Sequence, residues 1–543
     1  MTADVVWRGR MWTPGLAAPT ESALAARDGR FVARGREALD LIGSGTTVHD
    51  AGAGLLVPGF IDAHVHPVQG GLERMRCDLT AGCTAEDYLS TVAAYASEHP
   101  DREWILGGGW SLSACPGGAP TAAALDAVVG DRPVYLPNCD HHGAWVNSAA
   151  LRLAGIDERT PDPVDGHIVR DDAGRPTGSL HEGASALVGR VIPADMADDQ
   201  IEGLLVAQEY LHSLGITGWQ DAIVGAHSGF ADSSDAYRSL DGDGRLTARV
   251  VGALWWERER GLEQLPGLIA ARSRLSGRRF RATSVKIMQD GVPETFTAAM
   301  LEPYTDPCGC RSLGTGMSFV DPVELLTYVA ALDAEGFQVH VHAIGDRAVR
   351  EALDAIEEAR RRNGPTDGRH QLAHIQVVHP DDVPRFGALA AVANMQPLWA
   401  THEPQMDDLT IPYLGDQRSR WQYPFAGLQR SGAHLAAGSD WPVSSPDPLA
   451  GIHVAVNRSL PPSEGEVREP FLPDQALTLQ TAMTAYTAGS AYANHADDAG
   501  RLDVGALADV ALLDRDVFAG EAAGIAEASV AATWVGGEPV FAR

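Results

Sequence analysis

The chain has 543 residues, 45% of them hydrophobic and 21% charged, with a formal net charge of -30 at neutral pH. That length exceeds one small core and suits a barrel of roughly 250 residues or more with accessory units, and no run approaches the roughly 18 apolar residues that a membrane span needs. So acidic a chain opposes nucleic-acid phosphates and anionic membrane surfaces, which leaves small neutral or cationic molecules as the expected partners.

The opening residues, MTADVVWRGRMWTPG, place charge and proline where an export signal needs an unbroken apolar stretch, so the cytoplasm is the expected location. Residues 1–57 then alternate short apolar segments with Gly-containing turns, a strand-and-turn pattern without helical period. The stretch 497–543 has the same character, and the two ends are expected to pair into one β-sandwich. Between them, residues 58–496 repeat strand-like runs ahead of helical patterns: LLVPGFIDAHVH, GITGWQDA, ATSVKIMQDG, FQVHVHAIGD, RHQLAHIQVV, AVANMQP and HLAAGSDWP. Strands alternating with helices predict an α/β chain built as a (β/α)8 TIM barrel, whose active site forms at the C-terminal strand ends. The Gly- and Pro-rich stretch from about 70 to 185 breaks this rhythm and reads as an insertion after the first barrel strand.

Chemistry-bearing residues cluster at the ends of the strand-like runs. His64 and His66, at positions i and i+2 after an apolar run and Asp62, face the same way and can converge on one ion. Lys286 faces the barrel interior with Met288 and Asp290; desolvation would favour its neutral amine, which can take up carbon dioxide as a bridging carbamate. The plainer alternative pairs that lysine with Asp290. His342 and His374 each close a run, and imidazole is the commonest neutral nitrogen ligand for zinc. His340 and His370 share their faces but lie further from the strand ends, which suits support or packing. Asp440, before a Trp-Pro break, sets a carboxylate over the barrel mouth, where it can bind metal and take a proton from water. Taken singly, such a carboxylate is as easily a turn or helix cap.

Six cysteines (Cys77, Cys83, Cys115, Cys139, Cys308 and Cys310) lack CxxC spacing and read as reduced, packing residues. Cys308 and Cys310 sit in the loop YTDPCGCRSLGTG, which suits a flexible lid over a site. Trp110, Trp145, Trp399 and Trp441 lie near the site segments, where each could line an aromatic pocket or pack in the core.

In order, Asp62-Ala63-His64-Val65-His66, Lys286, His342, His374 and Asp440 match the ligand order of the amidohydrolase superfamily. The motifs VPGFIDAHVH, DHHGAWVNSAAL, VKIMQDG, VHAIGDRAV, GSDWPV and GALADVALLD resemble its amidohydrolase 3 branch, the YtcJ-like and N-substituted formamide deformylase-like proteins, over nearly the whole chain. The resemblance implies one or two divalent ions, usually zinc. His64 and His66 would hold one, His342 and His374 the other, with a carboxylated Lys286 between them. It implies metal-dependent hydrolysis of a C–N bond in a small amide, with an N-substituted formamide as its most specific suggestion. Asp440 would move the proton, and His142 in the inserted segment would help to hold the oxyanion. A lactonase, carbamate hydrolase or deaminase on the same metals is the alternative, since fold and ligands do not set the electrophile; a non-catalytic binding protein on a degenerate barrel is a third. No Arg cluster marks a phosphorylated substrate, and the sequence is compatible with a homo-oligomer.

Overall fold

Eight largely buried segments pair as parallel strands in chain order: β1 (Phe60–Val65), β2 (Ile216–Val224), β3 (Arg249–Trp255), β4 (Phe280–Met288), β5 (Gln338–Ala343), β6 (Gln371–His374), β7 (Val392–Met395) and β8 (His434–Ala437). The structure is a computed structural model and describes all residues except 116–118, 194–196, 228–229 and 462–467. A parallel sheet buried on both faces needs helices outside and side chains inside. The helix Asp346–Asn363 is typical of the outer layer: Val349, Ala352, Leu353, Ile356 and Ala359 recur at helical spacing and are buried. This is the expected TIM barrel. Seven strands coincide with the apolar runs read from the sequence; β3 (RVVGALW) escapes that reading because it follows the loop-like GDGRLTA and ends without a histidine or acid.

The barrel closes where β8 meets β1. Asp440 N donates to His64 O at 2.7 Å, and His66 N donates to Trp441 O at 2.8 Å. Asp62 Oδ1 accepts from both His64 N and Ser439 N at 3.0 Å, tying the two strand ends through one carboxylate. Gly438 makes the approach possible, since a Cβ there would lie 2.6 Å from His64 Cβ and 2.6 Å from His64 N.

The chain ends share one hydrogen-bonded sheet, in which Leu55–Pro58 pairs antiparallel with Val510–Leu513. The strands Val5–Met11 and Val530–Val535 stand three places apart in its order, about 14 Å in a flat sheet. Yet the rings of Trp7 and Trp534 meet edge to face at 5.9 Å, so the sheet folds over on itself as a β-sandwich around Trp7, Leu24, Phe31 and Trp534. Arg249, at the start of β3, fastens this unit to the barrel by a two-pronged pair with Asp509, at 2.7 and 3.0 Å.

Residues 77–182 build a six-stranded sheet between β1 and β2, with Pro176–Glu182, Gly143–Val146 and Val134–Pro137 at its centre. Trp110 and Trp145 pack edge to face within its core, so they serve stability and do not form an aromatic pocket. The cysteine expectation is also corrected, because Cys308 and Cys310 are joined by a disulfide while Cys77, Cys83, Cys115 and Cys139 are free. Nor is their loop a lid: Thr305 N donates to Tyr413 O, and no residue from 305 to 316 lines the large cavity. Among the described residues no helix is long and apolar enough to cross a membrane.

Gly438→Ala tests the seam. A methyl forced against His64 is expected to cost about 1–3 kcal/mol of stability and to lower bound metal in proportion to the displacement of His64; thermal melts with elemental analysis would read both, and an unchanged melt would show that β8 need not approach β1 so closely.

Candidate metal centre

His64 and His66 leave β1 on the same side, one at the strand end and one as the residue that starts the helix Pro67–Arg74. His64 Nε2 and His66 Nε2 both approach Asp440 Oδ1, at 3.0 and 2.9 Å. A chain of hydrogen bonds sets the proton on His64. Gln220 Oε1 lies 3.0 Å from His340 Nδ1, and His340 Nε2 lies 2.8 Å from His64 Nδ1. With the Gln220 oxygen accepting, His340 Nδ1 donates, His340 Nε2 accepts from His64 Nδ1–H, and the lone pair of His64 Nε2 is left facing the cavity. His340 is therefore a support for His64. His370 is structural, held between Val339 N at 3.0 Å and Asp333 Oδ1 at 3.0 Å.

Lys286 is 2% exposed, and its Nζ lies 3.3 Å from His64 Nε2. Burial pushes its ammonium down to about 7, with the charge of Asp440 pulling the other way, so much of it is neutral amine near neutral pH. Asp290 is not its partner. That carboxylate accepts from Ile344 N, Gly345 N and Ala299 N at 2.8–3.0 Å and latches the loops beyond β4 and β5.

His342 and His374, at the ends of β5 and β6, bring their rings together at a tilt of 59°, with centroids 4.4 Å apart. Both are buried, and burial keeps both imidazoles neutral well into acid. Among the described residues His342 Nε2 and His374 Nδ1 make no hydrogen bond, with Asp290 Oδ1 3.7 Å from the first and Asp440 Oδ2 3.9 Å from the second; a buried polar atom left so costs about 1–3 kcal/mol unless another partner satisfies it. Trp399 lies parallel to His374 at 5.3 Å and fixes its plane. His374 and Asp440 hold φ of 75° and 59°, the left-handed region that non-glycine residues rarely adopt and that clusters at functional sites. Burial would raise the Asp440 carboxyl, but the hydrogen bond with His66 and the charges of His374, His66 and Lys286 hold it below the usual carboxylate range.

His64, His374 and Asp440 bring donor atoms within 4.8 Å of one another. Two neutral imidazoles with unused nitrogens, a buried carboxylate and a lysine poised to deprotonate are a donor set that fits a divalent ion. All six expected ligands and His142 line one cavity of about 930 Å³. His142 Nδ1 lies 2.9 Å from Glu182 Oε2; burial would lower its pKa, but the charge and hydrogen bond of Glu182 prevail and raise it to about 9. Trp399 and Trp441 line the cavity, with Trp255 and Phe230 beside them. Sequence reasoning does not reach Gln220 and Glu182: neither falls in a metal-type spacing, and only the folded chain puts them against His340 and His142.

With this geometry in view, a family model described as the amidohydrolase family matches residues 47–541. The chain belongs to the amidohydrolase family. This amidohydrolase is 31% identical to the protein LONG AFTER FAR-RED 3 of Arabidopsis thaliana over 100% of this chain and 92% of that protein. It is 26% identical to the N-substituted formamide deformylase of Arthrobacter pascens over 90% of this chain and 89% of that protein. Among solved structures, an uncharacterized metal-dependent hydrolase from Pyrococcus furiosus superposes with a TM-score of 0.71 at 27% identity, covering 94% of this chain and 99% of that one.

Lys286→Ala should lower the metal retained per chain, as read by elemental analysis after dialysis, while the melting temperature of metal-free protein stays near that of the parent. Unchanged metal content would give Lys286 a purely structural place.

Proposed function

We propose that this protein is a metal-dependent hydrolase that cleaves a C–N bond of a small amide. The observation that carries the reading is the gathering of His64, His374 and Asp440, whose donor atoms lie within 4.8 Å of one another, with His342 and Lys286 lining the same cavity. His64, His66, Lys286, His342, His374 and Asp440 would hold one or two divalent ions, for which the imidazole-rich donor set favours zinc. When bound, such an ion supplies Lewis acidity toward a carbonyl and acidifies water to a pKa of about 7.

The chain's own residues do the rest. Asp440, ionised and fixed by the β1–β8 seam, accepts the proton of the attacking water and returns it to the leaving nitrogen. His142 stands beside His342, with ring centres 5.4 Å apart, and would help to hold the oxyanion. Trp255, Trp399, Trp441 and Phe230, which all line the cavity, favour an apolar or aromatic substituent on the nitrogen. The likeness to a formamide deformylase supports an N-substituted formamide as the acyl type.

A panel of N-aryl and N-arylalkyl formamides and acetamides, with lactones, carbamates and aminopurines beside them, tests this reading on protein stripped by chelator and reloaded with zinc. Formamides should be turned over best, activity should follow reloading, and Asp440→Asn should lower kcat by roughly 10²–10⁴-fold. Turnover confined to a lactone or an aminopurine would overturn the C–N amide assignment.

A further inference from the structure

The inserted unit touches the metal-ligand cluster through His142, and how it aims that ring can be read from the strands behind it. His142 precedes the strand Gly143–Val146, which pairs antiparallel with Pro176–Glu182 in the register Gly143↔His181. The ladder runs one step further, since Glu182 N donates to His142 O at 2.8 Å. Strand pairing therefore places the Glu182 carboxylate against the imidazole, with Oε1 and Oε2 at 3.0 and 2.9 Å from His142 Nδ1. An ionised carboxylate only accepts, so Nδ1 carries the proton and Nε2 is the end left to the cavity.

Glu182 is itself fixed from the barrel side. Thr297 Oγ1 donates to Glu182 Oε1 at 2.6 Å, and Thr297 belongs to the loop after β4, the strand that carries Lys286. Gly291 on that loop makes room: a Cβ there would overlap both Glu182 Oε1 and Thr297 Oγ1. Glu182 pays in backbone strain, with φ at 50° in the left-handed region. The side chains of His142 and Glu182 are only 9% and 6% exposed. A strained, buried carboxylate held by the inserted unit on one side and the barrel on the other is more than a sheet edge requires.

We propose that Glu182 is a positioning residue for the hydrolytic reaction, holding His142 with Nδ1–H on the carboxylate and Nε2 toward the substrate carbonyl, while Thr297 holds Glu182. This rests on the hydrolytic reading above. In it the inserted unit supplies the donor opposite the metal ligands, and the contact Thr297–Glu182 sets the register between the two.

Glu182→Gln, Glu182→Asp and Thr297→Val test the proposal against the parent, with His142→Gln as the reference. On the best amide of the panel, Glu182→Gln should lower kcat roughly 10- to 100-fold, with KM and zinc content unchanged; Glu182→Asp should recover part of the loss, and Thr297→Val should fall between. Proton NMR supplies a readout independent of turnover: a strongly deshielded imidazole proton present in the parent should vanish in both His142→Gln and Glu182→Gln. Parent-like kcat in Glu182→Gln, or persistence of that proton, would overturn the proposal; so would a loss of kcat that merely follows loss of zinc. If the parent cleaves no member of the panel, the hydrolytic reading fails while the resonance still decides whether Glu182 aims His142. Should Glu182→Gln not fold, Thr297→Val carries both readouts: a fall in kcat with a weakened resonance supports the proposal, and parent-like values of both overturn it.

Discussion

Everything at this site depends on the closing of the barrel between its first and last strands. His64 and His66 leave β1 and Asp440 leaves β8, and their side chains meet only because the backbones of those strands touch. Asp62 supplies the bond, its carboxylate accepting from one amide on each side of the seam. Because the group is buried, its carboxyl is pushed up to about 7, with the hydrogen bonds from Ser439 and His64 resisting. The acid of the DxHxH run thus serves closure of the barrel.

Beneath the ligands the barrel interior is polar in a way that ordinary core packing does not require. Gln220, Gln338, Gln371 and Asn394 bond one another across β2, β5, β6 and β7, with Asn394 Nδ2 also reaching Ala63 O of β1 at 2.9 Å. A fully connected amide layer is stiff, since each group has its partner and none can turn without stranding another. Its upper edge is His340, and through His340 it sets the tautomer of His64. His64 is therefore oriented by the floor of the barrel as much as by its own strand.

How far this is legible in sequence follows from which interactions are local. Strand runs that end in His64, His342, His374 and Asp440 declare themselves, because burial and a polar terminus are both written in a few consecutive residues. β3 shows the converse: without a ligand at its end it is indistinguishable from loop. Glu182 and Gln220 act on histidines 40 and 120 positions away, and nothing in a short window marks them. The disulfide between Cys308 and Cys310, and the placing of Trp110 and Trp145 in the inserted core, depend likewise on which way a segment folds back. Periodicity does not report that.

The sheet built from both chain ends carries a consequence for synthesis. Leu55–Pro58 runs through Gly59 straight into β1, and its partner across the sheet is Val510–Leu513. During translation the strand that bears His64 and His66 emerges early, yet the neighbour that covers its leading segment is made more than four hundred residues later. Ordering such distant contacts carries a large loop-closure penalty and leaves apolar edges exposed while the ribosome works. The nascent chain must keep a waiting half-sandwich, with Trp7 and Leu55 uncovered, until the strands Val510–Leu513 and Val530–Val535 have been made.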